Sequence, residues 1–262
     1  MKKILLTGAS GKIGRILRLA LRDHYRLTLF NRSAISDLGP TETLHRGDTT
    51  DADAVARAAE GANAIVDMAG VSDVASFRTR LLPVNILGTY NVFEAARLAG
   101  VPRVVYASTH HVIGYHPAGE RLDVHAELRP DSMYAVTKCF AEAMGRLYAE
   151  KAALEVVCLR IGYFNDRPLD ERHLAVWISP GDMARLVRAA LEAASVHFEV
   201  VYGVSRNTRN WWDLDRARRV LGYEPQDDAE AFASEILRVP ADEWRERVRC
   251  QGGAKIDAPF MP

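Results

Sequence analysis

Thr7-Gly8-Ala9-Ser10-Gly11-Lys12-Ile13-Gly14 directly follows the apolar, β-prone run Lys3–Thr7 and opens a helical pattern reaching about Arg22. A strand, a glycine-rich turn and a helix in that order form a backbone shaped for a pyrophosphate. Gly8 permits the tight turn, Gly11 lets the main chain approach the phosphates, and Gly14 lets the helix pack on the strand. The free N–H groups and positive dipole end of the helix then face the anion. Ser10, Lys12 and Ile13 fill out the loop as further candidate cofactor contacts.

Outward from this loop, β-prone runs at Arg26–Phe30, Thr43–Arg46, Ala64–Met68, Arg103–Ala107 and Glu155–Arg160 alternate with helical patterns. The helices fall at Asp51–Glu60, about Leu82–Ala99 and about Ser132–Lys151, with Gly100 as the C-cap of the second. Such alternation predicts a parallel sheet with helices on both faces. The strand runs are uniformly apolar, as strands buried on both faces should be. The expected class is therefore α/β: a Rossmann-type doubly wound parallel sheet with a small C-terminal substrate-binding annex.

A dinucleotide-binding domain is expected over 1–162. Residues 163–262 supply the annex, completing elements and a tail, all in one compact unit. Within that part, Asn165–Arg172 reads as a loop, Pro180 to about Ala194 as a helix, and Phe198–Tyr202 as a last strand. Asp213–Gly222 and Asp228–Leu237 read as short helices. The stretch from Pro240 onward is irregular, suited to packing on a neighbour or to mobility.

Composition narrows the function. Lys plus Arg and Asp plus Glu each total 34, so the net charge is zero. That argues against a nucleic-acid partner, which needs a basic excess. No stretch approaches the ~18 uninterrupted apolar residues of a membrane span. The apolar run after Lys2 and Lys3 is too short for a secretory signal and runs into the glycine loop, so a cytoplasmic protein is expected. Cys139, Cys158 and Cys250 have no metal-ligand spacing and are expected to be reduced thiols, with no metal site.

The second strand ends Phe30-Asn31-Arg32-Ser33, where NAD sites commonly carry an acidic residue for the ribose 2′-hydroxyl. Asn31 removes that carboxylate and Arg32 can pair with a 2′-phosphate, which favours NADP or dual use over strict NAD. A solvated surface arginine is the plainer alternative. Asp48 is placed to accept from the adenine amino group, or simply to serve a turn. Ala69 and Gly70, after the fourth strand, let the backbone pass close to the adenine-side ribose.

Tyr134 and Lys138 are four residues apart on one helical face. A tyrosine, with an ordinary pKa of about 10, is a poor base until a neighbouring ammonium stabilises its phenolate. The fifth strand leaves as Tyr106-Ala107-Ser108-Thr109-His110-His111. A hydroxyl there, Ser108 or Thr109, lies at the carboxyl end of a central strand, where such sheets bind ligands. Asn85 is expected to hold water or backbone near Lys138.

These segments, with Asn85-Ile86-Leu87-Gly88-Thr89, resemble the extended, sugar-epimerase-like branch of the short-chain dehydrogenase/reductase superfamily. The resemblance narrows to the uronate dehydrogenases. It is carried by Ser108 to Pro117, Arg129-Pro130-Asp131-Ser132-Met133-Tyr134, Lys138-Cys139-Phe140, Arg160-Ile161-Gly162, Trp211-Trp212-Asp213 and Gln251-Gly252-Gly253. It implies oxidation of C1 of a hexuronic acid to an aldaric acid lactone with NAD, by a homo-oligomer, at least a dimer. Thr109 takes the catalytic hydroxyl role and Ser108 a structural one. Ser72, Thr109, His110, His111, Tyr134, Tyr163 and Arg172 line the sugar pocket, with Arg172 on the C6 carboxylate. The chain departs from the family pattern, which has Ser at Thr109, Asn at His110, Ser at Tyr163 and Asp at Asn31. The alternatives are a neutral aldose 1-dehydrogenase, a nucleotide-sugar epimerase or dehydratase, and a non-catalytic NADP sensor. Enzymes acting on nucleotide sugars carry a longer C-terminal domain than residues 161–262 supply.

Overall fold

The computed structural model describes residues 1–71, 76–236 and 248–258. Seven parallel strands form one sheet in the order β3-β2-β1-β4-β5-β6-β9. They are β1 Lys3–Thr7, β2 Arg26–Asn31, β3 Glu42–Arg46, β4 Ala64–Asp67, β5 Arg103–Thr109, β6 Glu155–Ile161 and β9 Phe198–Gly203. β7, Tyr163–Phe164, and β8, Trp177–Ile178, make a separate two-stranded pair. The order reverses between β1 and β4, and a crevice opens at such a switch point beyond the strand ends.

Alternate residues of each strand feed opposite cores. Ile4 and Leu6 join one cluster with Leu17 of α1 (Lys12–Leu21) and Leu186 of α6 (Pro180–Glu192). Leu5 joins the other with Val55 of α2 (Ala52–Ala59), Phe93 of α3 (Thr89–Leu98) and Met144 of α4 (Met133–Ala152). This is the doubly wound arrangement read from the apolar runs. The region after residue 162 returns to the sheet, since β9 pairs along β6 from Val156↔Phe198 to Ile161↔Gly203.

Helix ends obey local chemistry. Asp51 and Ser132 accept from Ala54 N and Ala135 N as N-caps of α2 and α4. Gly100 takes φ +64 after α3, the left-handed turn a glycine permits.

Two segments differ from expectation. The helix expected from about Leu82 begins at Phe77 and is wound as a π-helix to Gly88 before α3 continues it. Pro83 lies inside this stretch and has no N–H to donate, so regular α pairing is interrupted there. The helix expected over Asp228–Leu237 is a 3-10 turn, Ala229–Phe232, followed by α8, Ala233–Ile236, and Leu237 lies outside the described residues. The remaining short helices are α5, His173–Val176, and α7, Asp215–Leu221. No described helix is long and apolar enough to cross a membrane.

Candidate active site

A cleft of about 890 Å³ opens over the β1/β4 switch point and the end of β5. One wall is the glycine loop. Gly8 sits at φ +63, and a Cβ there would come within 2.7 Å of the Met68 carbonyl oxygen. Gly11 donates to the Gly8 carbonyl at 2.9 Å, and no side chain caps the start of α1. Thr7 Oγ1 donates to buried Asp67 and accepts from Ala69 N, which fixes Met68–Gly70 against the loop. A narrow backbone cradle at an uncapped helix start fits the pyrophosphate of a dinucleotide. Gly8, Gly11, Lys12, Ile13, Gly14, Ala69 and Gly70 all line the cleft.

The other cofactor candidates stand behind or beside it. Asn31 is buried, accepts from Ser10 Oγ at 2.9 Å and donates to the Ser33 carbonyl at 2.9 Å. Arg32 is 66% exposed at its side chain, 3.7 Å from Asp48, whose other oxygen accepts from Thr50 N and Oγ1. Asn85 clamps the backbone of Val71 from both sides and also donates to Thr137 Oγ1. That hold on backbone lies beside Lys138, because a Cβ on Gly70 would meet both Asn85 Oδ1 and Lys138 Nζ at 3.5 Å. Lys12 reaches across the cleft to Asn165 Oδ1 at 2.7 Å.

At the reacting end, α4 presents Tyr134 and Lys138. Lys138 Nζ donates to the Ala107 carbonyl at 2.7 Å and to Tyr106 Oη at 3.0 Å, and lies 5.8 Å from the Tyr134 ring centre. Burial pushes its pKa down to about 8, opposed by the nearby charge of Asp67. Thr109 is buried, lines the cleft and accepts from His111 N at 3.3 Å. Ser108 also lines the cleft, but its hydroxyl is engaged by a buried ion pair. Its Oγ donates to Glu142 at 2.6 Å, and Glu142 is gripped by both Nε and Nη2 of Arg160.

The sugar side is a chain of polar contacts. His110 Nδ1–H donates to the Ile161 carbonyl at 2.9 Å, which leaves Nε2 to accept from Arg172 Nη2 at 2.7 Å. Burial, then the charges of His111 and Arg172, hold His110 well below the ordinary imidazole value, so it is neutral. His111 Nδ1 shares a 2.5 Å hydrogen bond with Asp131 Oδ2. Arg172 is buried, and its Nε donates to the Gln251 carbonyl at 2.9 Å. Among the described residues its other N–H groups have no protein acceptor, although the residue lines the cleft. Tyr163 also lines the cleft, stacked on His173 with ring centres 3.4 Å apart. Ser72 lies outside the described residues.

Sequence reasoning gave no role to the C-terminal turn that closes this site. The stretch 248–258 is stitched to its own chain. Cys250 bridges to Pro117, and Gln251 receives the Trp212 indole N–H at 2.7 Å and donates to the Pro117 and Glu120 carbonyls. The turn brings Lys255 into the cleft lining. Asp131 was likewise unassigned. Among the described residues no three His, Cys, Asp or Glu side chains are grouped to hold a metal, and the three cysteines are free.

A Rossmann cleft with this tyrosine–lysine pair defines a class. The chain belongs to the NAD dependent epimerase/dehydratase family, whose sequence pattern matches residues 4–178. Within it, the chain is 39% identical to the uronate dehydrogenase of Agrobacterium fabrum over 264 residues, covering 100% of this chain and 99% of that one. It superposes with a TM-score of 0.94 and 39% identity on a tyrosine-to-alanine variant of the Agrobacterium tumefaciens uronate dehydrogenase complexed with NAD, covering 99% of this chain and 98% of the other. The glucuronic acid dehydrogenase of Chromohalobacter salexigens matches with a TM-score of 0.93 and 36% identity, over 99% of this chain and 98% of its own.

Proposed function

We propose that the protein is an NAD-dependent dehydrogenase that oxidises C1 of a free hexuronic acid to an aldaric acid lactone. The observation that carries this reading is Arg172, a buried guanidinium in the wall of the cleft that also holds Thr109, Tyr134 and Lys138. A guanidinium is a planar, multidentate partner for a carboxylate. With zero net charge on the chain, recognition of an anionic sugar falls to such a local group.

Tyr134, as phenolate, takes the proton of the anomeric hydroxyl, and Thr109 orients that oxygen. Lys138 favours the phenolate. The cradle of Gly8, Gly11 and Gly14 would hold the dinucleotide, whose nicotinamide would supply the hydride acceptor for C1. Arg172 binds the C6 carboxylate and so sets C1 against Tyr134, the positioning effect on which such steps depend.

Galacturonate, glucuronate, arabinose and xylose tested against NAD and NADP, followed by reduced-nicotinamide absorbance, check the reading. Turnover of the two acids is expected, lost in Tyr134→Phe with cofactor binding retained. Equal rates on the neutral sugars would remove the role of Arg172. A neutral aldose is the second reading, favoured by the two contacts that already engage Arg172, to Gln251 and His110.

NAD is the expected cofactor, with NADP accepted as well, because Asn31 brings no carboxylate and Arg32 is exposed beside it. The assembly proposed is a dimer. Val136, Phe140 and Leu147 share one face of α4 and are exposed, as are Leu82, Leu87 and Tyr90 on the adjoining helix.

A further inference from the structure

We propose that Lys255 is a second cation of the reactive centre, held on the ring of Tyr134 by the C-terminal turn so as to favour the phenolate. This rests on the reading of Tyr134 as the proton acceptor in sugar oxidation.

The first observation is position. Lys255 Nζ lies 5.1 Å from the Tyr134 ring centre, nearer than the 5.8 Å of Lys138. Two ammonium groups therefore approach one aromatic ring, one from the helix that carries the tyrosine and one from a segment more than a hundred positions away in sequence. Lys255 also bears on the rest of the site, since its charge helps to depress the pKa of His111.

The second observation is that the turn is built to hold it there. Gln251 is fully buried with its side chain fixed at both ends, and Gly252 N donates to the Gly114 carbonyl at 2.8 Å. Gly253, at φ +65, swings the chain over Arg172, and the 3-10 turn Gly253–Asp257 then delivers Lys255. A lysine on a turn so anchored is presented to the cleft by the fold itself.

The groups facing Tyr134 set the expected size of the effect. Lys138 and Lys255 favour the anion. Tyr106 on β5 and the imidazole of His111 are neutral neighbours, with Asp131 behind His111. Burial pushes Lys138 down to about 8, which limits the share of the phenolate's stabilisation that Lys138 supplies in alkaline solution. One opposite charge at this range typically moves a pKa by ~1 unit or more.

Lys255→Met keeps the stem and removes the charge; Lys255→Arg keeps the charge. The pH dependence of kcat/KM on the oxidised uronate is expected to show its acid limb about one unit higher in the Met variant and unchanged in the Arg variant. The phenolate absorbance of Tyr134 is read independently, with NAD present, as the difference between each protein and its Tyr134→Phe counterpart. It should titrate higher in the Met variant by the same interval. Coincident limbs and coincident titrations would overturn the role of Lys255. A parent enzyme that oxidises no uronate would sink the functional reading instead, while the absorbance titration still decides the proposal.

Discussion

Arg172 donates to His110 Nε2 at 2.7 Å, and His110 can accept only because its proton sits on Nδ1, bonded to the Ile161 carbonyl. The strand end that carries Thr109 thereby also aims the guanidinium. His110→Phe preserves ring packing against His111 and Trp212 but removes the acceptor. A hydrogen bond to a charged group contributes about 1.5–3 kcal/mol, so KM for the uronate should rise roughly ten- to a hundredfold with kcat little changed. An unaltered KM would show that Arg172 keeps its place without His110.

Acid should destabilise the fold through buried imidazoles. Burial holds His110 and His111 well below 6.5 and His173 at about 4. Once unfolded they regain the ordinary value, so below 6.5 the unfolded chain binds more protons and stability falls as pH drops. Asp131 works in the other direction, because burial raises its pKa and the folded state keeps that proton at a higher pH. Burial raises Asp67 in the same sense, and the three imidazoles are expected to outweigh these two carboxyls. Thermal melts should show Tm declining from neutral pH downward, and His173→Gln should flatten the decline by up to ~1.4 kcal/mol per pH unit.

A substitution at Gly253 is expected to separate sugar binding from cofactor binding. It lies at φ +65, and a Cβ there would sit 2.9 Å from Arg172 Nε. In Gly253→Val the side chain must displace the guanidinium. KM for the uronate is expected to rise by about tenfold or more, ~1.4 kcal/mol, while the NAD dissociation constant stays the same. Parallel loss of both affinities would mean that the turn supports the whole cleft.

The Ser108–Glu142–Arg160 cluster beneath the site is a stability element. Arg160 and Glu142 are buried with their charges paired at 2.8 Å. Glu142→Leu leaves Arg160 without its counter-ion and should cost about 3–5 kcal/mol in urea unfolding. The double variant Glu142→Leu/Arg160→Met should recover much of that loss.

The sheet was legible because strands buried on both faces advertise themselves as apolar runs; β1 begins and ends where the residues predict, and β5 and β6 run only one or two residues further. The π-helical turns over Phe77–Gly88 were not, since the apolar spacing there suits an ordinary helix and Pro83 acts through an absent donor. Tyr134, Lys138 and Thr109 could be picked out because local spacing and strand position carry them. Lys255 reaches the cleft, and Asp131 and Gln251 reach His111 and Arg172 in its wall, through contacts between distant segments, and no local pattern encodes such convergence. Resemblance marked Gln251-Gly252-Gly253 without saying what they touch. The structure puts Gln251 on Arg172 and Gly252 on the Gly114 carbonyl.

The separation between Arg172 and Gln251, 79 positions, has a consequence for biosynthesis. A chain leaving the ribosome exposes the entire dinucleotide cradle, residues 8–70, long before residue 251 is made. A nascent or C-terminally clipped molecule thus has the cradle complete while Arg172 keeps only its His110 anchor and lacks the Gln251 carbonyl. If Arg172 selects the sugar as proposed, discrimination among sugars is the last property the polypeptide would acquire, and the first that proteolysis near residue 250 would remove.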